Sequence, residues 1–72
     1  MIQEKFFVDA ILNIRKAIEI DPIDPENWHM WGHVQVATGD YKSARHKFNM
    51  ALKINPEYSQ AKKELQKIEL VL

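Results

Sequence analysis

The fold is decided by residues 25–58, whose sequence is PENWHMWGHVQVATGDYKSARHKFNMALKINPEY. Gly39 and Asp40 divide this stretch into two segments of helical length, and neither segment has the alternating pattern of a strand. Small and aromatic residues recur in both segments at three- and four-residue steps, as expected of helices that bury one face. A proline-containing turn separates each end of the stretch from a further helical segment, at residues 21–25 and 55–56. The sequence therefore predicts an all-α fold of four helices.

Start and stop signals set the boundaries of the first three helices, which we predict at about residues 3–20, 25–38 and 40–54. Pro22 ends the first helix, because the residue before a proline is pushed out of the helical region. Asp24 is suited to cap the second helix, and Pro25 fits the first helical position, where no amide hydrogen is needed. Gly39 permits the reversal between the second and third helices.

The last helix is predicted to follow residues 55–57, whose order of cap, proline and acid repeats that of residues 24–26. Its apolar residues again recur at three- and four-residue steps (Tyr58, Ala61, Leu65, Ile68 and Leu72). The opposite face carries lysines and glutamines and is expected to be solvated.

A repeat with a period of 34 residues runs through the chain. Such internal repeats are the signature of stacked helical arrays. The shift superimposes four identical pairs, which are Ala10 and Ala44, Ala17 and Ala51, Ile20 and Ile54, and Pro22 and Pro56. Conservative pairs fall in the same register, including Phe7 with Tyr41 and Ile14 with Phe48. The first predicted helix is therefore a second version of the third.

Residues 25–58 resemble the tetratricopeptide repeat family at many positions of its pattern, namely Trp28, Trp31-Gly32, Gly39-Asp40-Tyr41, Ala44, Phe48, Ala51 and Pro56. Trp31 and Gln35 depart from the leucine and the tyrosine that the family has at those positions. The resemblance implies antiparallel helix hairpins stacked as a short right-handed superhelix. It also implies a single domain over residues 1–72. Within it, residues 1–24 are the second helix of a partial repeat, 25–58 a complete repeat and 59–72 a terminal capping helix.

Composition excludes several classes of function. The chain has 72 residues, no cysteine, and ten basic and ten acidic side chains. Without cysteine there is neither a disulfide framework nor a thiolate metal site. Zero net charge argues against nucleic acid, so the basic side of the third helix (Lys42, Arg45, His46, Lys47 and Lys53) is expected to be solvated. Short apolar runs and the absence of a signal peptide predict no membrane association and a cytoplasmic location.

No residue pattern indicates catalysis, and we expect neither an enzyme nor a cofactor. His29 and His33 are four residues apart on the second helix, but no third ligand accompanies them in a metal-binding motif. The serines lack a base and an orienting acid in any recognisable arrangement. We therefore expect no metal site.

In the tetratricopeptide repeat family, the first helices of successive repeats line a concave groove that receives peptides or partner helices. The resemblance therefore implies a protein or peptide partner that contacts two sets of residues. These sets are Glu26, His29, Met30, His33, Val36 and Ala37 on the second helix, and Gln60, Lys63, Glu64 and Lys67 on the last. The carboxylate grip of chaperone-binding members is not expected, because Met30, Gln60 and Glu64 stand at three of its positions.

An alternative function is structural: self-association, or a minimal repeat scaffold without a dedicated ligand. Phe6, Phe7, Ile11 and Leu12 give the first helix more apolar surface than one neighbouring helix covers. A second copy could cover this surface through a two-fold contact between first helices.

Overall fold

The structure is a computed structural model that describes the backbone of residues 4–72 and the side chains of residues 7–72. It contains four helices within that range: α1 (Glu4–Ile20), α2 (Pro25–Ala37), α3 (Tyr41–Ile54) and α4 (Ser59–Val71). Each helix packs against the next along the chain, in a flat stack that measures 33 × 33 × 15 Å. The all-α prediction is confirmed. The start predicted near residue 3 and the side chain of Phe6 lie outside the described residues.

The connection between α2 and α3 is a tight reversal built on Gly39. The amide of Gly39 donates to the carbonyl of Val36 (3.0 Å), and the amide of Asp40 donates to that of Gln35 (2.9 Å). These two bonds form the Schellman motif, which needs a left-handed residue after the helix. Gly39 supplies it with φ +85°. Asp40 then caps α3 by accepting from the amide of Ser43.

The cap and proline predicted to start the second helix are confirmed, whereas residues 55–57 do not start the last helix as their similar order suggested. Asp24 accepts from the amide of Glu26, and Pro25 begins α2. Asn55 instead ends α3, and its side chain accepts from the amide of Glu57 in a turn. Asp21 makes the same turn with Ile23, 34 residues earlier. The repeat register thus equates Asn55 with Asp21 and not with Asp24, so α4 begins later, at Ser59.

The main buried cluster lies on α3 and α4, and Ile14 of α1 is also buried, with 5% of its surface exposed. Five residues form the cluster, with 0 to 2% of their surface exposed: Ala44, Phe48, Ala51, Ala61 and Ile68. Gly32 brings α2 close to this core, because a Cβ added there would lie 2.7 Å from Cε1 of Phe48. Alanine and glycine thus let neighbouring helices approach closely around one large ring.

The tryptophans of α2 make contacts that the sequence does not reveal. Trp28 donates from Nε1 to the carbonyl of Pro22 (3.2 Å), which ties α2 to the turn after α1. Trp28 also stacks on Trp31 with ring centroids 5.9 Å apart. Lys47 lies over the Trp31 ring, with Nζ 4.5 Å from the centroid, so this lysine departs from the solvated face predicted for α3. None of the described helices is both long and apolar enough to cross a bilayer.

Candidate functional site

An open groove of about 700 Å³ lies between α1 and α2. Apolar side chains make up most of its lining, and its polar groups are two histidines and two asparagines. The lining residues are Phe7, Ala10, Asn13, Ile14 and Ala17 on α1, and Asn27, His29, Met30, His33, Val34 and Ala37 on α2. A groove of this size and character is typical of a surface that receives a ligand or a partner segment.

The repeat explains why this groove is open. In the complete repeat, α2 and α4 together cover the face of α3 that carries Ala44, Phe48 and Ala51, and all three are fully buried. The 34-residue register equates them with Ala10, Ile14 and Ala17, and these three residues line the groove. Among the described helices only α2 packs closely against α1; it leaves Ile14 just 5% exposed, while Ala10 and Ala17 remain partly exposed. The groove is therefore open beside Ala10 and Ala17.

The partner-binding residues predicted on α2 are divided between this groove and a smaller depression. His29, Met30, His33 and Ala37 line the α1/α2 groove, and Met30 has 45% of its surface exposed. Val36 lines a depression of about 200 Å³ between α2, α3 and α4, and Glu26 is exposed outside both. The face of α2 that the sequence selected is thus directed mainly toward α1.

The residues predicted on α4 lie on the other side of α2 from the groove. Glu64 and Lys67 line the smaller depression, and their charged groups are 3.8 Å apart. Gln60 and Lys63 are exposed, and Gln60 accepts a hydrogen bond from the hydroxyl of Tyr58 (3.0 Å). The α4 residues therefore do not line the larger groove.

The ring of His29 packs against α3 and against Tyr58, the residue before α4. Its ring centroid lies 5.6 Å from those of Phe48 and Tyr58, and 6.3 Å from that of His33. Burial lowers the pKa of His29, and the nearby His33 adds to this shift. The charges of Glu64 and Glu26 oppose it, and the effect of Glu64 is the larger of the two. Burial also raises the pKa of Tyr58, and Glu26 and Asp24 add to that increase. Burial thus favours the neutral form of both side chains.

We expect the chain to lose stability on mild acidification because of His29. Its pKa in the folded chain is below the ordinary value of 6.5, so the unfolded chain binds the proton first as the pH falls. The contribution of neutral His29 to stability is full above about pH 6.5 and is lost as the pH falls through the folded pKa. Urea unfolding midpoints between about pH 7.5 and about pH 5.5 should show the decrease.

His29→Gln should reduce this pH dependence, because the substituted side chain does not titrate. His46→Gln is the matched control, since His46 is exposed on α3 and its removal should leave the dependence unchanged. An equal slope in the wild type and in His29→Gln would contradict the assignment.

The groove offers contact surface and not reactive groups. In residues 7–72, no group of three or more histidine, cysteine, aspartate or glutamate side chains could hold a metal ion. His29 and His33 stack on each other within a largely apolar lining. Such a surface binds by shape and by burial of apolar area.

The contribution of α1 to the groove was missed from the sequence. The helix was assigned apolar surface for self-association, but Ala10, Asn13, Ile14 and Ala17 were not assigned to a binding site. The signal was present in the 34-residue register, which equates this face with the face of α3 that α2 covers. A search for hairpin partners of each predicted helix would have found it.

One comparison with known proteins gives a match. The model of the tetratricopeptide repeat family matches residues 25–58. No curated protein and no solved structure matches the chain. The family match confirms the resemblance seen in the sequence, and it covers α2, the Gly39 reversal and α3.

Proposed function

Because residues 25–58 are a tetratricopeptide repeat, we propose that the chain is a protein-interaction module that holds a peptide or helix of a partner against α2. This family generally mediates contacts between proteins and is typically a non-catalytic scaffold. The observation that carries the proposal is the open, largely apolar groove between α1 and α2. Burial of such a surface by a partner is favourable in water.

The lining of the groove favours a helical partner. Ala10, Ile14 and Ala17 are spaced by four and three residues along α1, which is the spacing that fits side chains of a helix between them. Met30 on the α2 wall is flexible and adapts to irregular partner surfaces. His29 and His33 at the same wall supply hydrogen-bonding groups that would orient the partner.

The lysines predicted on α4 lead us to propose that the partner carries acidic groups. Lys63 and Lys67 are exposed, and with Gln60 they would contact acidic groups of a partner that continues past α2 toward α4. Glu26 and Val36 would meet the same segment between the two helices. Such peripheral charges mainly raise the association rate, and their effect becomes weaker as the salt concentration rises.

A display experiment tests the proposal. We expect a library of random amphipathic helices, each as long as α2 at 13 residues, to yield binders to the immobilised chain at low surface density. Binding should be lost with Ala10→Glu or Ala37→Glu, because each places a carboxylate inside an apolar groove.

Leu12→Glu is the matched control, since Leu12 is 49% exposed and is absent from the groove lining. It should leave the binders unaffected. Binders that tolerate Ala10→Glu and Ala37→Glu as well as Leu12→Glu would contradict the groove as the binding site.

Self-association is a second candidate function, favoured by the same groove. Phe7 and Ile14 contribute to its wall, and both belong to the helix that the sequence selected for a two-fold contact. In this case the partner helix comes from a second copy of the chain.

A further inference from the structure

We propose that α3 carries a second binding surface, which holds an acidic helix of a partner protein. This surface, the α3 basic stripe, consists of exposed residues of one helix: Lys42, Arg45, His46, Asn49 and Lys53. It is separate from the surface in the proposed function, because the lining of the α1/α2 groove contains no residue of α3.

Sequence spacing places the stripe residues in one row along α3. They follow Lys42 by three, four, seven and eleven positions, and residues at these steps share one side of a helix. At about 1.5 Å per residue, the row from Lys42 to Lys53 is about 16 Å long. Ala44 and Ala51 are fully buried and lie about half a turn around the helix from the row. The whole stripe therefore faces away from the core.

The positive charges of the stripe have no acidic partner in the part of the chain that the structure describes. The ion pairs found there join Lys62 to Glu57 (3.9 Å) and Lys67 to Glu64 (3.8 Å), and neither involves α3. Helix α3 itself contains no aspartate and no glutamate. The stripe is therefore a block of like charge in a chain whose net charge is zero.

The fold does not require these charges. Lys42 and Arg45 are three residues apart, where like charges destabilise a helix. Lys42 also stands in the first turn of α3, where positive charge is unfavourable. The 34-residue register equates these two residues with Val8 and Ile11, so the repeat accepts uncharged side chains at both positions. Residues that lower stability without a packing role are typical of a binding surface.

The composition of the stripe favours an acidic helix over a membrane or a nucleic acid. A helix that lies on a membrane has large apolar side chains beside its basic residues, and single-stranded nucleic acid stacks on exposed aromatic rings. The stripe has neither. Zero net charge also disfavours binding to duplex nucleic acid.

A partner helix offers carboxylates at the spacing of the stripe. Two helices that lie side by side rise by the same amount per residue, so glutamates at three- and four-residue steps would stay level with the stripe residues. Arg45 can bind one carboxylate through two parallel hydrogen bonds. The amide of Asn49 can donate to another.

A stapled helical peptide tests the proposal. The probe has 14 residues, as α3 has, and its glutamates follow the spacing of the stripe. By fluorescence anisotropy at about 50 mM salt, we expect a Kd of about 10–100 µM. Binding should weaken at least about threefold at about 0.3 M salt. A peptide of the same composition, with its glutamates spread around the helix, should bind at least about fivefold more weakly.

Charge reversal tests the residues. Lys42→Glu and Arg45→Glu should each weaken binding of the probe at least about tenfold, because each places a carboxylate opposite those of the peptide. Lys16→Glu is the matched control: Lys16 is exposed on α1, and its reversal changes the net charge equally, but the affinity should stay within about twofold. Lys42→Glu should raise the melting temperature by about 3 °C, since it puts a negative charge in the first turn of α3.

Three results would overturn the proposal. The first is equal affinity of the wild type and of Lys42→Glu/Arg45→Glu for the probe, and the second is equal affinity of the wild type for the two peptides. The third is tighter binding of a duplex oligonucleotide, or of vesicles of phosphatidylserine and phosphatidylcholine, than of the probe. The proposed function is tested separately, because Ala10→Glu should leave binding of the probe unchanged and Lys42→Glu should leave the groove binders unaffected.

Discussion

Phe48→Ala is expected to unfold the chain at room temperature. Phe48 has none of its surface exposed, and its ring contacts α2 at Gly32 and reaches His29 as well. Truncation of a buried phenylalanine costs about 3–5 kcal/mol. A domain of this size gains only about 3–5 kcal/mol from its core. The loss therefore equals the whole stability, and far-UV circular dichroism should show a disordered chain without a cooperative melting transition.

Two controls accompany this variant. Phe48→Leu keeps most of the apolar volume, so it should lower the stability by about 1–2 kcal/mol and leave the chain folded. Met30→Ala removes a side chain that is 45% exposed, and it should change the stability by less than about 1 kcal/mol. A cooperative transition in Phe48→Ala at a temperature close to that of the wild type would contradict the central position of this ring.

The position of Phe48 on α3 also shows why the fold could be predicted from the sequence. Ala44, Phe48 and Ala51 occupy one face at steps of four and three, and the 34-residue register repeats that face in α1. Local spacing therefore fixed the helices, the reversal at Gly39 and the buried face of α3. The capping role predicted for residues 55–57 was wrong, because Asn55-Pro56-Glu57 has the local chemistry of a helix start but forms a turn. Only its equivalence to Asp21 identifies it as a turn.

The candidate site was harder to predict, because it depends on contacts between residues that are far apart in the sequence. Met30 and Ala37 were assigned to a binding face from the family pattern, and they do line the groove. That pattern describes a groove between first helices of successive repeats, so it selected α4 as the second wall. In the structure α1 forms the wall of the larger groove. The contact between His29 and Tyr58 likewise requires knowledge of where α4 begins.

The second large effect is expected at Gly32, where alanine should lower the stability by up to about 2 kcal/mol. The added Cβ would lie 2.7 to 2.9 Å from three atoms of the Phe48 ring, and a fully buried ring has little room to move. Overpacking of this kind costs about 1–3 kcal/mol, which outweighs the gain of about 1 kcal/mol in helix propensity. Urea unfolding of Gly32→Ala against the wild type measures the difference.

The variant Gly32→Ala/Phe48→Ile shows whether steric conflict is the cause. With the smaller side chain at residue 48, the alanine no longer meets a ring, and its helix propensity should dominate. Adding Gly32→Ala to Phe48→Ile is therefore expected to be neutral or stabilising, with a coupling energy of at least about 1 kcal/mol in a double-mutant cycle. If the stability losses of the two single variants simply add in the double variant, the cost of Gly32→Ala comes from the backbone and not from the Phe48 ring.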